Sequence, residues 1–186
     1  MNNLTVPDKK ILSRLFMAFA ITLLSACSSM TSTPGVSVDV SERWALLPIS
    51  NLSETAQADA QAHSMVETQL RARGIRAVDT YAPIRQVSLR QLLDPGKELK
   101  QARNWAMQSG YRYGLSGTIH EWQYKTGADR EPAVGMSLKL VDLYSGEVVW
   151  QANAARTGWG YASLPSVADG LIRDLLDQVQ FTTSSL

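Results

Sequence analysis

Few side chains in this 186-residue sequence have the type and spacing that chemistry demands. The two histidines, His63 and His120, lie far apart, and neither has a second histidine or a cysteine at metal-ligand spacing, so no metal site is expected. Ser116 stands in Gly114-Leu115-Ser116-Gly117, one residue short of a nucleophile elbow and inside a strand-like run, which is the wrong context for one. No phosphate-cradling or dinucleotide glycine pattern occurs, and no cofactor is implied. Asp129 and Glu131 are close enough in sequence for acid–base work. They sit in the charged run Lys125–Pro132, where a carboxylate pair is ordinarily just solvated. The expectation is a protein that is not an enzyme. The one residue whose chemistry is set by its position is Cys27, the sole cysteine.

Cys27 ends the run Leu24-Ser25-Ala26-Cys27. Ahead of it come a basic segment (Lys9, Lys10, Arg14) and an apolar stretch from Leu15 to Leu24 broken only by Thr22. A positive n-region, a short h-region and small residues before a cut describe a secretory signal, too short to span a bilayer. The ending resembles the bacterial lipobox. That resemblance implies cleavage before Cys27, acylation of its thiol and a bilayer contact through the acyl chains. It also implies an outer-membrane address, because no aspartate follows the cysteine. The expected organisation is a signal peptide over 1–26, a lipidated N-terminus and flexible tether over 27–42, and one domain over 43–186.

The leader takes three of the 18 Lys+Arg and one of the 17 Asp+Glu, which leaves 15 basic and 16 acidic residues and a formal charge of −1. That balance offers no basic excess for nucleic acid. With its only thiol acylated, the chain forms no disulfide and has no thiolate nucleophile. The segment from Ser28 to Glu42 is rich in Ser, Thr, Pro and Gly and reads as a tether reaching at most ~50 Å at ~3.3–3.6 Å per residue, which keeps the domain near its membrane.

The elements that must position these residues follow from periodicity. Trp44-Ala45-Leu46-Leu47-Pro48 is a strand. Ala58, Ala62, Met65, Val66 and Leu70 mark a helix over about 55–73, stopped by Gly74. A strand over 75–81, a possible helical turn within 83–95 and a helix over 98–109 come next. Strands over 111–124, 133–142 and 147–156 follow, the last two joined by a hairpin at Tyr144-Ser145-Gly146. Ser163 and Pro165 open a final helix reaching about Val179. The order β-α-β-α-β-β-β-α gives an α/β domain with a mixed sheet and helices mainly on one face. Trp44, Trp105, Trp122 and Trp150 fall on these elements and read as core. Trp159, in Thr157-Gly158-Trp159-Gly160-Tyr161, falls on a loop. Two placements are open to it: insertion into a bilayer headgroup region, which suits an indole, or burial against its own sheet or a subunit contact.

The stretch from Leu138 to Trp150, with Asp142, Ser145-Gly146-Glu147 and the closing Val148-Val149-Trp150, resembles a hairpin of several envelope lipoproteins. These are the curli secretion channel, the lipoprotein activators of penicillin-binding proteins, and the PelC lipoproteins of Pel exopolysaccharide export. The opening from Trp44 to Pro48 with Asn51 and the first helix is similar to the same group. The chain has no spare hairpins to form a curli-type channel, and its tether is short for an activator. The Arg156-to-Trp159 loop is PelC-like. The PelC resemblance implies a homo-oligomeric ring on the inner leaflet of the outer membrane, facing the periplasm. Such a ring would pass a cationic polysaccharide of the biofilm matrix toward an outer-membrane β-barrel. Asp129, Glu131 and Glu121 are the candidates for an acidic, polymer-facing surface, which would concentrate a cationic polymer. The alternative is a regulator that activates a peptidoglycan synthase.

Overall fold

The computed structural model describes residues 28–33, 35–82, 95–126 and 130–183. The expected signal peptide, Cys27, the helical turn expected after Pro83, and Asp129 lie outside the described residues. Strand β3 (Trp44–Asn51) is buried on both faces over Trp44–Leu47. A continuous apolar run of this kind belongs to an interior strand of a sheet covered on both sides. Helix α1 (Ala58–Ala72) follows, burying Ala58, Ala62, Val66 and Leu70, one residue every turn. It ends before Gly74, whose φ of 92° is the left-handed turn anticipated there.

Strand β4 (Val78–Thr80) is short, and helix α2 covers Pro95–Gln108. Three long strands then form the meander β5 (Tyr113–Tyr124), β6 (Pro132–Asp142) and β7 (Val148–Thr157). Helix α3 (Leu164–Leu176) is capped by Ser163, whose Oγ accepts from the Ser166 N–H at 3.3 Å. The predicted order of elements is the observed one from Trp44 to Leu176.

Three further strands were not anticipated: β1 (Ser28–Ser32), β2 (Ser37–Asp39) and β8 (Gln180–Thr182). The first two fall within the segment read above as a flexible tether. Its Ser/Thr-rich sequence lacks apolar alternation, but backbone pairing needs no side-chain pattern, and β7 presents an open edge to β1. The six-stranded sheet has the order β1-β7-β6-β5-β3-β4; β3 is parallel to β4 and β5, and the remaining pairs are antiparallel. Strands β2 and β8 form a small parallel pair of their own.

Helices α1 and α3 lie on one face of the large sheet, over a core that includes Trp44, Trp122 and Trp150. These three tryptophans are at most 1% exposed, which meets the expectation for them. Helix α2 covers part of the other face, where Ala102 and Ala106 pack with Ala45, Leu47, Val141 and Leu143. Trp105 sits at the margin of that cluster, its ring 5.1 Å from Tyr111 and 5.5 Å from Tyr81. Tyr111 donates to Asp79 Oδ2 at 2.8 Å, and burial with this hydrogen bond raises its pKa.

Candidate functional surface

The strand directions bring several loops to one end of the sheet. Strands β3 and β5 finish there, β6 begins, and β7 finishes, with Tyr124 opposite Pro132 and Ala133 opposite Thr157. The loop after β3 is pinned by Asn51. Its Oδ1 accepts from both the N–H and the hydroxyl of Ser53, at 2.9 and 2.7 Å, while its Nδ2 donates to the Thr55 carbonyl at 2.7 Å. Thr55 in turn donates its hydroxyl to the Trp122 carbonyl on β5. The asparagine noted in the sequence is therefore a clamp between this loop and the sheet.

The loop from Gly158 to Ser163 is wedged at its root and free at its tip. The Gly158 N–H donates to the Pro132 carbonyl at 2.8 Å. A Cβ on Gly158 would come within 2.6 Å of Val167 Cγ2 and 2.7 Å of Pro132 Cγ, so only glycine lets the chain leave β7 this close to α3. On the other side of the tip, the Leu164 N–H donates to Tyr124 Oη at 3.0 Å. Between these fixed points Trp159 is 77% exposed and Tyr161 fully exposed. Trp159 does not fold back onto its own sheet. Tyr161 and Leu52, which is 65% exposed at the same end, were not singled out from the sequence. Only the glycines around the tip could have flagged Tyr161.

The acidic candidates do not form one cluster. Glu131 is half-exposed in the loop before β6, where its carbonyl accepts from the Lys125 N–H at 2.8 Å. The adjoining Pro132 is the residue that holds Gly158, so Glu131 and Trp159 stand in neighbouring loops. Glu121 lies elsewhere, on the face of the sheet opposite α1 and α3. It follows a bulge at His120 and pairs with Gly135, and its Oε1 accepts from Gln123 Nε2 at 3.2 Å. Around it opens a shallow depression of about 550 Å³ floored by small and polar residues, among them Gly135, Ser137, Asn153 and Ala155. His120 Nε2 lies 3.4 Å from Ser137 Oγ.

His63 is on α1, facing Ile49, Thr80 and Tyr81 across a small cleft. Burial lowers its pKa, against the pull of Glu67 and Asp59, which favours the neutral ring. Among the described residues no group of three or more His, Cys, Asp or Glu gathers to hold a metal, and no helix is long and apolar enough to cross a membrane. Ser116 is buried in the middle of β5. The arrangement can offer an aromatic tip, a carboxylate-bearing rim and a polar sheet face.

Fold and surface together define a small α/β domain whose exposed features are suited to contact. No family model and no curated protein matches the chain. Solved structures do. A PelC dodecamer from Paraburkholderia phytofirmans is 34% identical, with a TM-score of 0.71 over 84% of this chain and all of that one. A variant of the same protein, also a dodecamer, is 36% identical with a TM-score of 0.70 over the same shares. The lipoprotein GNA1162 from Neisseria meningitidis is 15% identical, with a TM-score of 0.48 over 77% of this chain and 96% of that one. The chain belongs to the PelC family.

Proposed function

We propose that this protein is a non-catalytic, lipid-anchored component of exopolysaccharide export of the Pel type in a Gram-negative envelope. It is acylated at Cys27, held on the periplasmic side of the outer membrane and assembled into a ring through which, or beside which, the polymer reaches an outer-membrane β-barrel. The observation that carries this reading is the kinship with dodecameric PelC over 84% of the chain at 34–36% identity. The exposed Trp159 supports contact with the bilayer, since an indole partitions well into the headgroup region. Glu131 and Glu121 are accessible carboxylates able to attract a cationic polymer, and Asp129 belongs to the same loop as Glu131.

The test is secretion of the polymer by a strain whose own copy is deleted and replaced. The unaltered chain restores secreted polymer, Cys27→Ser does not, and Glu131→Lys with Glu121→Lys lowers it while the protein is still made and acylated. Restoration by Cys27→Ser would remove the anchor from the function. Full export by the charge-reversed chain would remove the acidic surface from it.

A further inference from the structure

Residues 28–42 read as slack between a lipid and a domain, and the structure takes up that slack. Strand β1 runs antiparallel to β7, with Ser28 opposite Arg156 and Ser32 opposite Ala152. The pairing continues one residue further: the Thr33 N–H donates to the Gln151 carbonyl at 2.9 Å, and the Gln151 N–H donates to Thr33 Oγ1 at 3.1 Å. Met30, opposite the buried Ala154, is 38% exposed, so part of it is covered on the helix side of the sheet. A sequence without apolar alternation is thus held as a full edge strand, chiefly by its backbone.

The direction of β1 carries the consequence. It starts at the end where β7 finishes, so the chain enters the domain beside the Gly158–Ser163 loop. Cys27 is one Cα step, ~3.8 Å, from Ser28. Arg156, the partner of Ser28, precedes Trp159 by only Thr157 and Gly158. The N-terminal end of β1 and the exposed Trp159 and Tyr161 therefore share one end of the sheet, the end that also carries exposed Leu52.

Resting on the membrane reading above, we propose that β1 is a strap. By zipping onto β7 it fixes acyl-Cys27 beside the Trp159–Tyr161 tip, so that this end of the sheet meets the lipid surface at a set distance and orientation. The acyl chains hold the protein on the membrane, and the strap decides which end faces it. Covalent lipid alone leaves orientation free, whereas a second contact linked by a short, ordered path acts at high effective concentration. Peeling the five residues of β1 from β7 would lengthen that path by about 17 Å at ~3.4 Å per residue. The tip would then sample solvent for much of the time.

The experiment uses the acylated chain reconstituted in phosphatidylethanolamine–phosphatidylglycerol vesicles containing nitroxide-labelled acyl chains. Tyr161→Cys carries an environment-sensitive fluorophore; with Cys27 blocked by its lipid, it is the single free thiol. Two changes slacken the strap in the same background. Thr31→Pro removes an N–H that the alternation of the ladder, set by Thr33 with Gln151, directs at β7. Insertion of a flexible Gly/Ser segment between Cys27 and Ser28 leaves β1 intact but lengthens the link. Quenching is expected to be strong with the native strap and to fall about twofold or more in both altered chains, which still float with the vesicles and melt as the parent does. Equal quenching in all three overturns the strap while leaving the membrane contact standing. No quenching even with the native strap overturns the contact itself, and the strap with it.

Discussion

Asp142 shows how one side chain can dictate a recognisable motif without any chemistry. Its Oδ1 accepts from the N–H groups of Tyr144 and Ser145, at 2.9 and 3.3 Å, and its Oδ2 takes Arg112 Nη2 at 2.5 Å. Gly146 completes the hairpin at φ 78°, its N–H on the Asp142 carbonyl at 2.8 Å. Arg112 also lies over the Tyr144 ring, 4.9 Å from its centroid. The Asp-x-x-Ser-Gly run is thus a turn held on three sides. Asp142→Ala is expected to cost about 2–3 kcal/mol in chemical denaturation, because two backbone donors and a guanidinium lose their acceptor together. Asp142→Asn, which keeps an oxygen for the turn, should cost less. His63 makes a second prediction, on pH. Burial lowers its pKa in the fold below the 6.5 of the free side chain, so below that pH the unfolded chain binds the proton that the folded chain resists. The contribution of His63 to stability is full above about pH 6.5 and declines as pH falls through the folded value. His63→Gln should flatten that part of the stability–pH curve, as measured by denaturant midpoints.

At the level of elements, what could be read from the sequence is what local pattern controls. The four-residue spacing of Ala58, Ala62, Val66 and Leu70 belongs to one helix face wherever that helix packs, and Ser163 caps α3 through a contact three residues away. Trp44, Trp122 and Trp150 had to be core because their strands are. Strands β1, β2 and β8 escaped for the opposite reason. Their partners are distant in sequence, Ser28 with Arg156 and Ser37 with Gln180, and nothing local in Ser28–Ser32 announces a strand. Glu121 was legible as an acid but not as a sheet-face residue, since the bulge at His120 that sets its direction arises between β5 and β6. The glycines flanking Trp159 did mark a loop, and the structure gives Gly158 a sharper role. Gly158→Ala must push aside Val167, Pro132 or Ala162, each within 2.8 Å of the added carbon. It is expected to cost about 1–3 kcal/mol by overpacking and to displace the tip. Gly160, with nothing within 4 Å of an added carbon but a φ of 62°, should cost only about 1 kcal/mol on the same change. Thermal denaturation of the two variants side by side checks the order.

For the whole molecule the decisive property is assembly, and charge bears on it. The relatives at 34–36% identity are dodecamers. A chain of formal net charge +1, or −1 should residues 1–26 be removed as expected, meets little self-repulsion when many copies gather. With little net charge there is little long-range repulsion for salt to screen, so ionic strength should move the assembly little by that route. Light scattering across a dilution series of the acyl-free chain beginning at Ser28 should therefore find one discrete species near twelve copies, unchanged between low and high ionic strength. A graded distribution of sizes would mean contacts that do not close, since only a fixed rotation between neighbours ends growth at a set number. A monomer at every concentration would separate this chain from its relatives in assembly, while leaving its fold with theirs.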